Sequence, residues 1–167
     1  LAKKVDYYSA GTVEFIVDAQ KNFYFLEMNT RLQVEHGITE LVTGIDIVKE
    51  MVKIAAGHKL SYSQEDIKID GYAIEARIYA EDPSRGFLPS SGRVIEYEEP
   101  AKTSYIRIDS GISAGGEVSM FYDSMIAKLC VHGSTRATSI ERLRAALSTF
   151  VIQGIAHNIT FLEAIIS

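Results

Sequence analysis

The sequence has one cysteine, three prolines and no tryptophan in 167 residues. The single cysteine, Cys130, excludes an internal disulfide, and core packing is the more frequent role for a cysteine in such an apolar segment. No stretch approaches the roughly 20 apolar residues of a membrane-spanning helix, and no signal peptide is visible. These absences predict a protein of a reducing compartment, either the cytoplasm or, in a eukaryote, the mitochondrial matrix, without a membrane partner.

The sequence also lacks a large excess of either charge, since the net charge is only −5. Its 17 lysines and arginines are scattered along the chain and form no basic cluster. This pattern argues against a nucleic-acid partner. A hydrophobic content of 47% predicts one compact domain over residues 1–167. The chain begins with Leu1 and a helix-like LAKKVDYYSAG, so we interpret it as a piece of a longer protein.

Alternating β-branched and aromatic residues predict strands at 12–17 and 22–28, joined as an antiparallel hairpin. Helical periodicity follows, with Asp46 as a cap and Gly57 as a stop. A third strand is predicted over 71–80, and the remaining predictions are strands at 93–97, 105–109 and 125–131 and helices after Ser134 and at 158–166. This order predicts an α+β fold, a largely antiparallel sheet with helices packed on one face.

The register of the hairpin places two carboxylates together. If Asp18 faces Phe23, then Glu14 lies opposite Glu27. Alternation then assigns one face to Glu14, Ile16, Phe25, Glu27 and Asn29, and an apolar core face to Val13, Phe15, Val17, Tyr24, Leu26 and Met28. Opposed like charges cost up to about 1 kcal/mol, so we expect a cation between them.

Two carboxylates and an amide oxygen are the ligands that Mg²⁺ or Mn²⁺ prefers, with the remaining ligands coming from waters and substrate phosphates. If the strand stays extended, Arg31, Gln33 and Glu35 continue the same row. Arg31 would then hold a planar oxyanion and Glu35 could accept its proton. A solvated polar strand face explains the same spacing equally well.

The whole string FLEMNTRLQVEHGITE, residues 25–40, resembles the run FIEMNTRIQVEHPVTE of the biotin carboxylases, members of the ATP-grasp superfamily. EARIYAEDP and FLPSSG resemble further segments of that family, as do FYDSMIAKL and IAHNITFL. The resemblance covers the chain in order and implies the C-terminal portion of a biotin carboxylase. Within the family, DSGISAGGEVSM and the late HNI look most like α subunits of propionyl-CoA carboxylase.

The resemblance implies a ligand set for two Mg²⁺ or Mn²⁺ ions that bridge the ATP phosphates: Glu14, Glu27 and Asn29. Ile16 corresponds, by position only, to a residue near the adenine. Bicarbonate would be held by Arg31, Gln33 and the backbone N–H of Val34. Glu35 matches the general base that deprotonates bicarbonate, and Arg77 matches the arginine that stabilises the biotin enolate.

The implied partners are ATP, bicarbonate, biotin on a carrier, a carboxyltransferase subunit and further copies of the full domain. Nothing in the chain resembles the family's glycine-rich lid or N-terminal domain, so we expect residues 1–167 alone to be inactive. Gly37 replaces the family's proline. Glu75 either orients Arg77 or forms a plain ion pair with it, His36 is expected to make a supporting hydrogen bond, and Arg107 matches a position near a dimer contact.

Alternative interpretations stay open at this point. They are the biotin carboxylase of an acetyl-CoA or pyruvate carboxylase, another ATP-grasp ligase, and a binding module that keeps the fold without the activity.

Overall fold

The computed structural model describes all residues, 1–167, which form two compact units, Leu1–Ile69 and Asp70–Ser167. The assignment of one domain to the whole chain stays a prediction. No helix of either unit has the length and apolar character that crossing a membrane requires.

The first unit contains a β-hairpin and two short α-helices. Its elements are a 3₁₀ helix at Ala2–Val5, β1 at Thr12–Val17, β2 at Phe23–Asn29, α1 at His36–Thr43, α2 at Ile47–Ala55 and a 3₁₀ turn at Gln64–Asp66. The predicted cap of α2 is confirmed, because the Asp46 carboxylate accepts a hydrogen bond from the Lys49 backbone N–H. Gly57 follows the helix with a φ of 87°, a conformation that glycine adopts without strain.

The second unit is built around a three-stranded antiparallel sheet in the order β3-β10-β8. Its strands are β3 at Tyr72–Tyr79, β4 at Glu81–Asp82, β5 at Leu88–Pro89, β6 at Gly92–Arg93, β7 at Glu96–Glu98, β8 at Ile106–Ser110, β9 at Glu117–Val118, β10 at Met125–Gly133 and β11 at Val151–Gln153. A 3₁₀ turn lies at Pro83–Arg85, α3 at Arg136–Leu147 and α4 at Ile159–Ile165. Every strand pair in the chain is antiparallel.

The core lies in the second unit, between this sheet and α3. Its fully buried side chains include Ile78 and Leu129 from the sheet and Leu143 and Leu147 from the helix. The predicted α+β class, with an antiparallel sheet and packed helices, is therefore confirmed.

Three predicted boundaries differ from the structure. The predicted strand at 93–97 is divided between β6 and β7. Thr135, not Ser134, caps α3, because its hydroxyl accepts a hydrogen bond from the Thr138 backbone N–H. The N-terminal segment is helical only over Ala2–Val5, because Asp6 adopts a left-handed conformation there.

Candidate functional site

The two carboxylates of the hairpin face each other, as predicted. β1 and β2 pair with Glu14 opposite Glu27, and the register changes between Glu14 and Phe15. Beyond that point Phe15 pairs with Phe25, so Leu26 is the extra residue of a β-bulge. Bulges of this kind are frequent beside functional sites, where they redirect side chains.

The bulge changes the faces assigned to the loop end of the hairpin. Phe25 was expected beside Glu27, but its ring lies 6.2 Å from that of Phe15, on the opposite face. Tyr24, expected on the apolar face, instead pairs with Ile16. The extra residue inverts the alternation, which no period-two pattern predicts. The expected core face is also open, since Phe15 is 48%, Val17 61% and Leu26 52% exposed.

Asn29 connects the two carboxylates. Its side-chain Nδ2 donates to Glu14 Oε1 at 2.6 Å and to Glu27 Oε1 at 3.2 Å. The three residues thus bring two carboxylates and one amide to a single point, a donor set that suits a hard divalent cation sharing its remaining ligands with phosphates and water. A metal bound there would require the amide to turn its oxygen, which here faces Arg31, toward the carboxylates.

No group of three or more His, Cys, Asp or Glu side chains in the chain could hold a metal ion. The hairpin set supplies only two acidic side chains, so it fits a metal that also takes substrate oxygens better than a closed structural metal site.

Arg31 continues the row of contacts past the end of β2. Its Nη1 donates to Gln33 Oε1 at 2.6 Å, and its Nη2 donates to Asn29 Oδ1 at 3.3 Å. The condition that the strand stays extended to Glu35 is not met, because β2 ends at Asn29 and Glu35 is the N-cap residue of α1. The row is continued by side-chain hydrogen bonds.

A cavity of about 250 Å³ opens beside this row. Its lining combines the candidate anion-binding and base residues with the chain preceding β1: Ala10, Gly11, Thr12, Arg31, Leu32, Gln33, Glu35, His36, Thr39 and Ile47. Arg31, Gln33 and Glu35 therefore meet at one cavity. The other predicted site residues of this unit do not line it: Val34, Ile16, Glu14, Glu27 and Asn29.

The histidine of the motif has the supporting role expected of it. His36 Nδ1 lies 2.8 Å from the backbone oxygen of Gln33, which ties the start of α1 to the preceding turn. Gly37 is buried in the first helical turn. Proline is tolerated at the same place in a helix, so the replacement is compatible with the observed backbone.

In the second unit, Arg77 lies on β3 and is bound by Glu75 from the same strand. Arg77 Nε donates to Glu75 Oε1 at 2.9 Å. This hydrogen bond is the main reason that the pKa of Arg77 is raised, although partial burial opposes it. An arginine is charged at neutral pH in any case, and the Glu75 carboxylate fixes the direction of its guanidinium.

Sequence reasoning missed an ion pair on the neighbouring strands. Asp109 on β8 accepts from Arg107 Nε at 2.9 Å and lies 3.3 Å from Lys128 Nζ on β10. Burial alone would raise the pKa of Asp109, but hydrogen bonds and charge from these two cations lower it overall. The available signal was Lys128, a charged residue inside the otherwise buried segment of β10.

Comparison with known proteins identifies the family. Residues 75–167 match the biotin carboxylase C-terminal domain, and residues 1–63 match the ATP-binding domain of the carbamoyl-phosphate synthase L chain. The first match covers more than half of the chain, which therefore belongs to the biotin carboxylase C-terminal domain family.

Similar proteins include propionyl-CoA carboxylase α chains. That of Ruegeria pomeroyi is 55% identical over 99% of this chain and 27% of its own length. The mitochondrial α chain of Mus musculus is 56% identical over 99% of this chain and 23% of its own. The chain thus spans about a quarter of the length of these relatives.

Solved structures show the same fold. The biotin carboxylase domain dimer of 2-oxoglutarate carboxylase from Hydrogenobacter thermophilus, with MgADP, ADP and bicarbonate, has a TM-score of 0.92 and 50% identity over 99% of this chain and 36% of that one. The biotin carboxylase subunit of a pyruvate carboxylase has a TM-score of 0.91 and 51% identity, with 99% and 36% coverage.

Proposed function

We propose that this chain is part of the biotin carboxylase component of an acyl-CoA carboxylase and contributes to the ATP- and bicarbonate-dependent carboxylation of biotin. The observation that carries the proposal is the continuous set of side-chain contacts from Glu14 through Asn29 to Arg31 and Gln33, beside the cavity that Glu35 also lines. These contacts support an order in which the proposed cation ligands of the hairpin are followed by the proposed anion-binding residues and, at the start of α1, by the proposed base.

Each residue has a definite role in this proposal. Glu14, Glu27 and Asn29 would hold Mg²⁺ or Mn²⁺ with ATP, and such an ion neutralises phosphate charge when it is bound. Arg31, Gln33 and the Val34 backbone N–H would hold bicarbonate. Ile16 is 56% exposed on the hairpin, where an adenine could pack against it.

The proposed reaction begins when Glu35 removes the proton of bicarbonate, whose oxygen then attacks the γ-phosphorus of ATP. ADP leaves, and the carboxyphosphate formed breaks down to CO₂ and phosphate. The phosphate takes the ureido N–H proton of biotin, and the resulting nitrogen attacks CO₂. Arg77 would stabilise the negative oxygen of the biotin enolate, a contribution for which one preorganised donor typically supplies about 3 kcal/mol.

The test is Glu35→Gln in the full-length enzyme, which keeps the side chain's size but removes the base. We expect bicarbonate-dependent ATP hydrolysis to fall by about 100-fold or more, since general-base catalysis commonly supplies that much. The matched control is Glu141→Gln at an exposed position of α3, which should retain the wild-type rate. Near-normal turnover of Glu35→Gln, with unchanged folding by circular dichroism, would refute the proposal.

A different ATP-grasp ligase is the second candidate, because residues 1–63 match an ATP-binding domain named for carbamoyl-phosphate synthase. The match of residues 75–167 to a biotin carboxylase domain favours biotin as the acceptor. Stimulation of ATP hydrolysis by free biotin separates the two, because only a biotin carboxylase requires biotin. A non-catalytic binding module would show neither hydrolysis nor binding of MgATP.

The proposed partners are a biotin carrier, a carboxyltransferase subunit and a second copy of the full domain. The similarity to propionyl-CoA carboxylase α chains favours propionyl-CoA as the final acceptor, with pyruvate and 2-oxoglutarate carboxylases as the alternatives. Such an enzyme would work in the bacterial cytoplasm or the mitochondrial matrix.

A further inference from the structure

Arg77 and Glu75 differ sharply in their exposure to solvent. The Arg77 side chain is 38% exposed, whereas that of Glu75 is only 7% exposed. The pair therefore consists of a buried carboxylate and a guanidinium that reaches the surface. In an ordinary surface ion pair both side chains are solvated and the interaction is weak, but here the anionic partner is fixed inside the sheet.

Glu75 is held in turn by the neighbouring strand. Cys130 lies directly opposite it across the β10–β3 pairing, and Cys130 Sγ is 3.6 Å from Glu75 Oε2. Cys130 is fully buried. The two oxygens of Glu75 are thus divided, one accepting from the thiol and the other from Arg77 Nε.

The residue opposite Arg77 adds a second constraint. Lys128 is its cross-strand partner in the β10–β3 register, so two cations occupy directly opposed positions. Lys128 Nζ is drawn toward Asp109 on the far side of β10, at 3.3 Å. Like charges opposite each other are destabilising, and the carboxylates of Glu75 and Asp109 draw the two cations in different directions.

We propose that Glu75 is the positioning residue for Arg77 and that the Cys130 thiol fixes Glu75 in the orientation this requires. The inference rests on the proposed function, in which Arg77 meets biotin. An arginine side chain has many rotamers and loses conformational entropy when it binds a substrate. A buried carboxylate that accepts from Arg77 Nε restricts these rotamers before biotin binds, so less entropy is lost on binding. Tyr79, whose side chain also hydrogen-bonds to Arg77, is a further support.

The test compares biotin kinetics with bicarbonate activation in the full-length enzyme. In Glu75→Gln, kcat/KM for free biotin should fall about tenfold or more, because the hydrogen bond from the Arg77 guanidinium to a carboxylate is replaced by a weaker one to an uncharged amide. The KM for ATP and the bicarbonate-dependent ATP hydrolysis measured without biotin should stay at wild-type values. A purely structural defect would change all of these together, and that result would overturn the proposal.

Cys130 provides a second, independent pair of variants. Cys130→Ser keeps a hydrogen-bond donor and should retain the biotin kinetics, whereas Cys130→Val removes the donor and should raise the KM for biotin several-fold. Equal biotin kinetics in the two variants would contradict the role of the thiol. This pair also tests the contact if Glu75→Gln does not fold, and Glu141→Gln serves again as the exposed control.

The two proposals fail in different ways. If the wild-type enzyme shows no bicarbonate-dependent ATP hydrolysis, the proposed function is wrong. If the wild type is active with biotin and Glu75→Gln keeps its biotin kinetics, only the positioning role is wrong.

Discussion

Cys130 illustrates how position in the fold decides the chemistry of a single side chain. The thiol is fully buried in β10, and this burial, with the nearby Glu75 carboxylate, raises its pKa from 9.0 to about 12. Thiolate is the nucleophilic form of cysteine, so a thiol with this pKa is unreactive at neutral pH. The core role expected from its apolar neighbours is confirmed, and its contact with Glu75 is an addition from the structure.

The first prediction concerns the reactivity of this thiol. We expect native protein to resist iodoacetamide at pH 8, because Cys130 is neither exposed nor ionised, and protein unfolded in urea to react fully. Mass spectrometry of the two samples measures the difference. Rapid labelling of the native chain would show that the thiol is accessible and would contradict the placement of Cys130.

The same group makes stability depend on pH. Since the folded pKa of about 12 lies above the ordinary value of 9.0, unfolding releases a proton between these limits, and stability falls as the pH rises through this range. The slope cannot exceed about 1.4 kcal/mol per pH unit. Urea denaturation should show a steeper decline for the wild type than for Cys130→Ala, and parallel declines would count against the shift.

Among the secondary-structure elements, the β1–β2 hairpin shows what a pattern can and cannot predict. The opposition of Glu14 and Glu27 is confirmed, but the premise that Asp18 faces Phe23 is wrong, because Phe23 pairs with Val17 and only the bulge restores the expected carboxylate pair. The bulge at Leu26 could not be predicted, because one unpaired residue leaves the local hydrophobic pattern intact while it inverts the faces beyond it. Phe25 and Tyr24 are therefore the two residues assigned to the wrong face.

The ends of the other elements were predicted with unequal success from the residue types at those ends. The cap at Asp46 was found because a carboxylate before a periodic apolar run has one evident role. Ser134 and Thr135 are equally good caps by type, and only the backbone decides between them. The end of β2 at Asn29 lies one residue beyond the predicted end at Met28.

The opposed carboxylates lead to a prediction for the hairpin itself. In EDTA, Glu27→Gln should raise the free energy of unfolding by about 0.2–1 kcal/mol, because it removes a like-charge pair while the amide oxygen can still accept from Asn29. Urea denaturation measures the change. Glu141→Gln on α3 should leave stability nearly unchanged. A Glu27→Gln protein that is less stable without metal would mean that Asn29 already compensates for the repulsion.

The chain as a whole divides its candidate residues between its two compact units. The proposed metal, bicarbonate and base residues belong to Leu1–Ile69, whereas Arg77 and its proposed supports belong to Asp70–Ser167. The family matches divide in the same way, with an ATP-binding domain over 1–63 and the biotin carboxylase C-terminal domain over 75–167. Sequence motifs predicted both groups of residues, but the contacts that Lys128 and Cys130 make with Asp109 and Glu75 depend on strand neighbours that are distant in sequence.

The last prediction is that residues 1–167 bind MgATP only weakly. The cavity beside Arg31, Gln33 and Glu35 measures about 250 Å³, below the roughly 300–1,000 Å³ of sites that enclose small molecules, and the candidate metal residues and Ile16 do not line it. The hairpin face around it is open, with Ile16 56% and Phe25 55% exposed.

Isothermal titration calorimetry of the 167-residue chain should therefore give no saturable heat at MgATP concentrations that saturate the full-length enzyme, which is the positive control. Circular dichroism must first show that the shorter chain is folded, so that an absence of heat reports on the binding surface alone. Micromolar binding by the chain would mean that the hairpin carboxylates, Asn29 and Arg31 hold the nucleotide without any covering structure, and the enclosure argued from the cavity volume would be unnecessary.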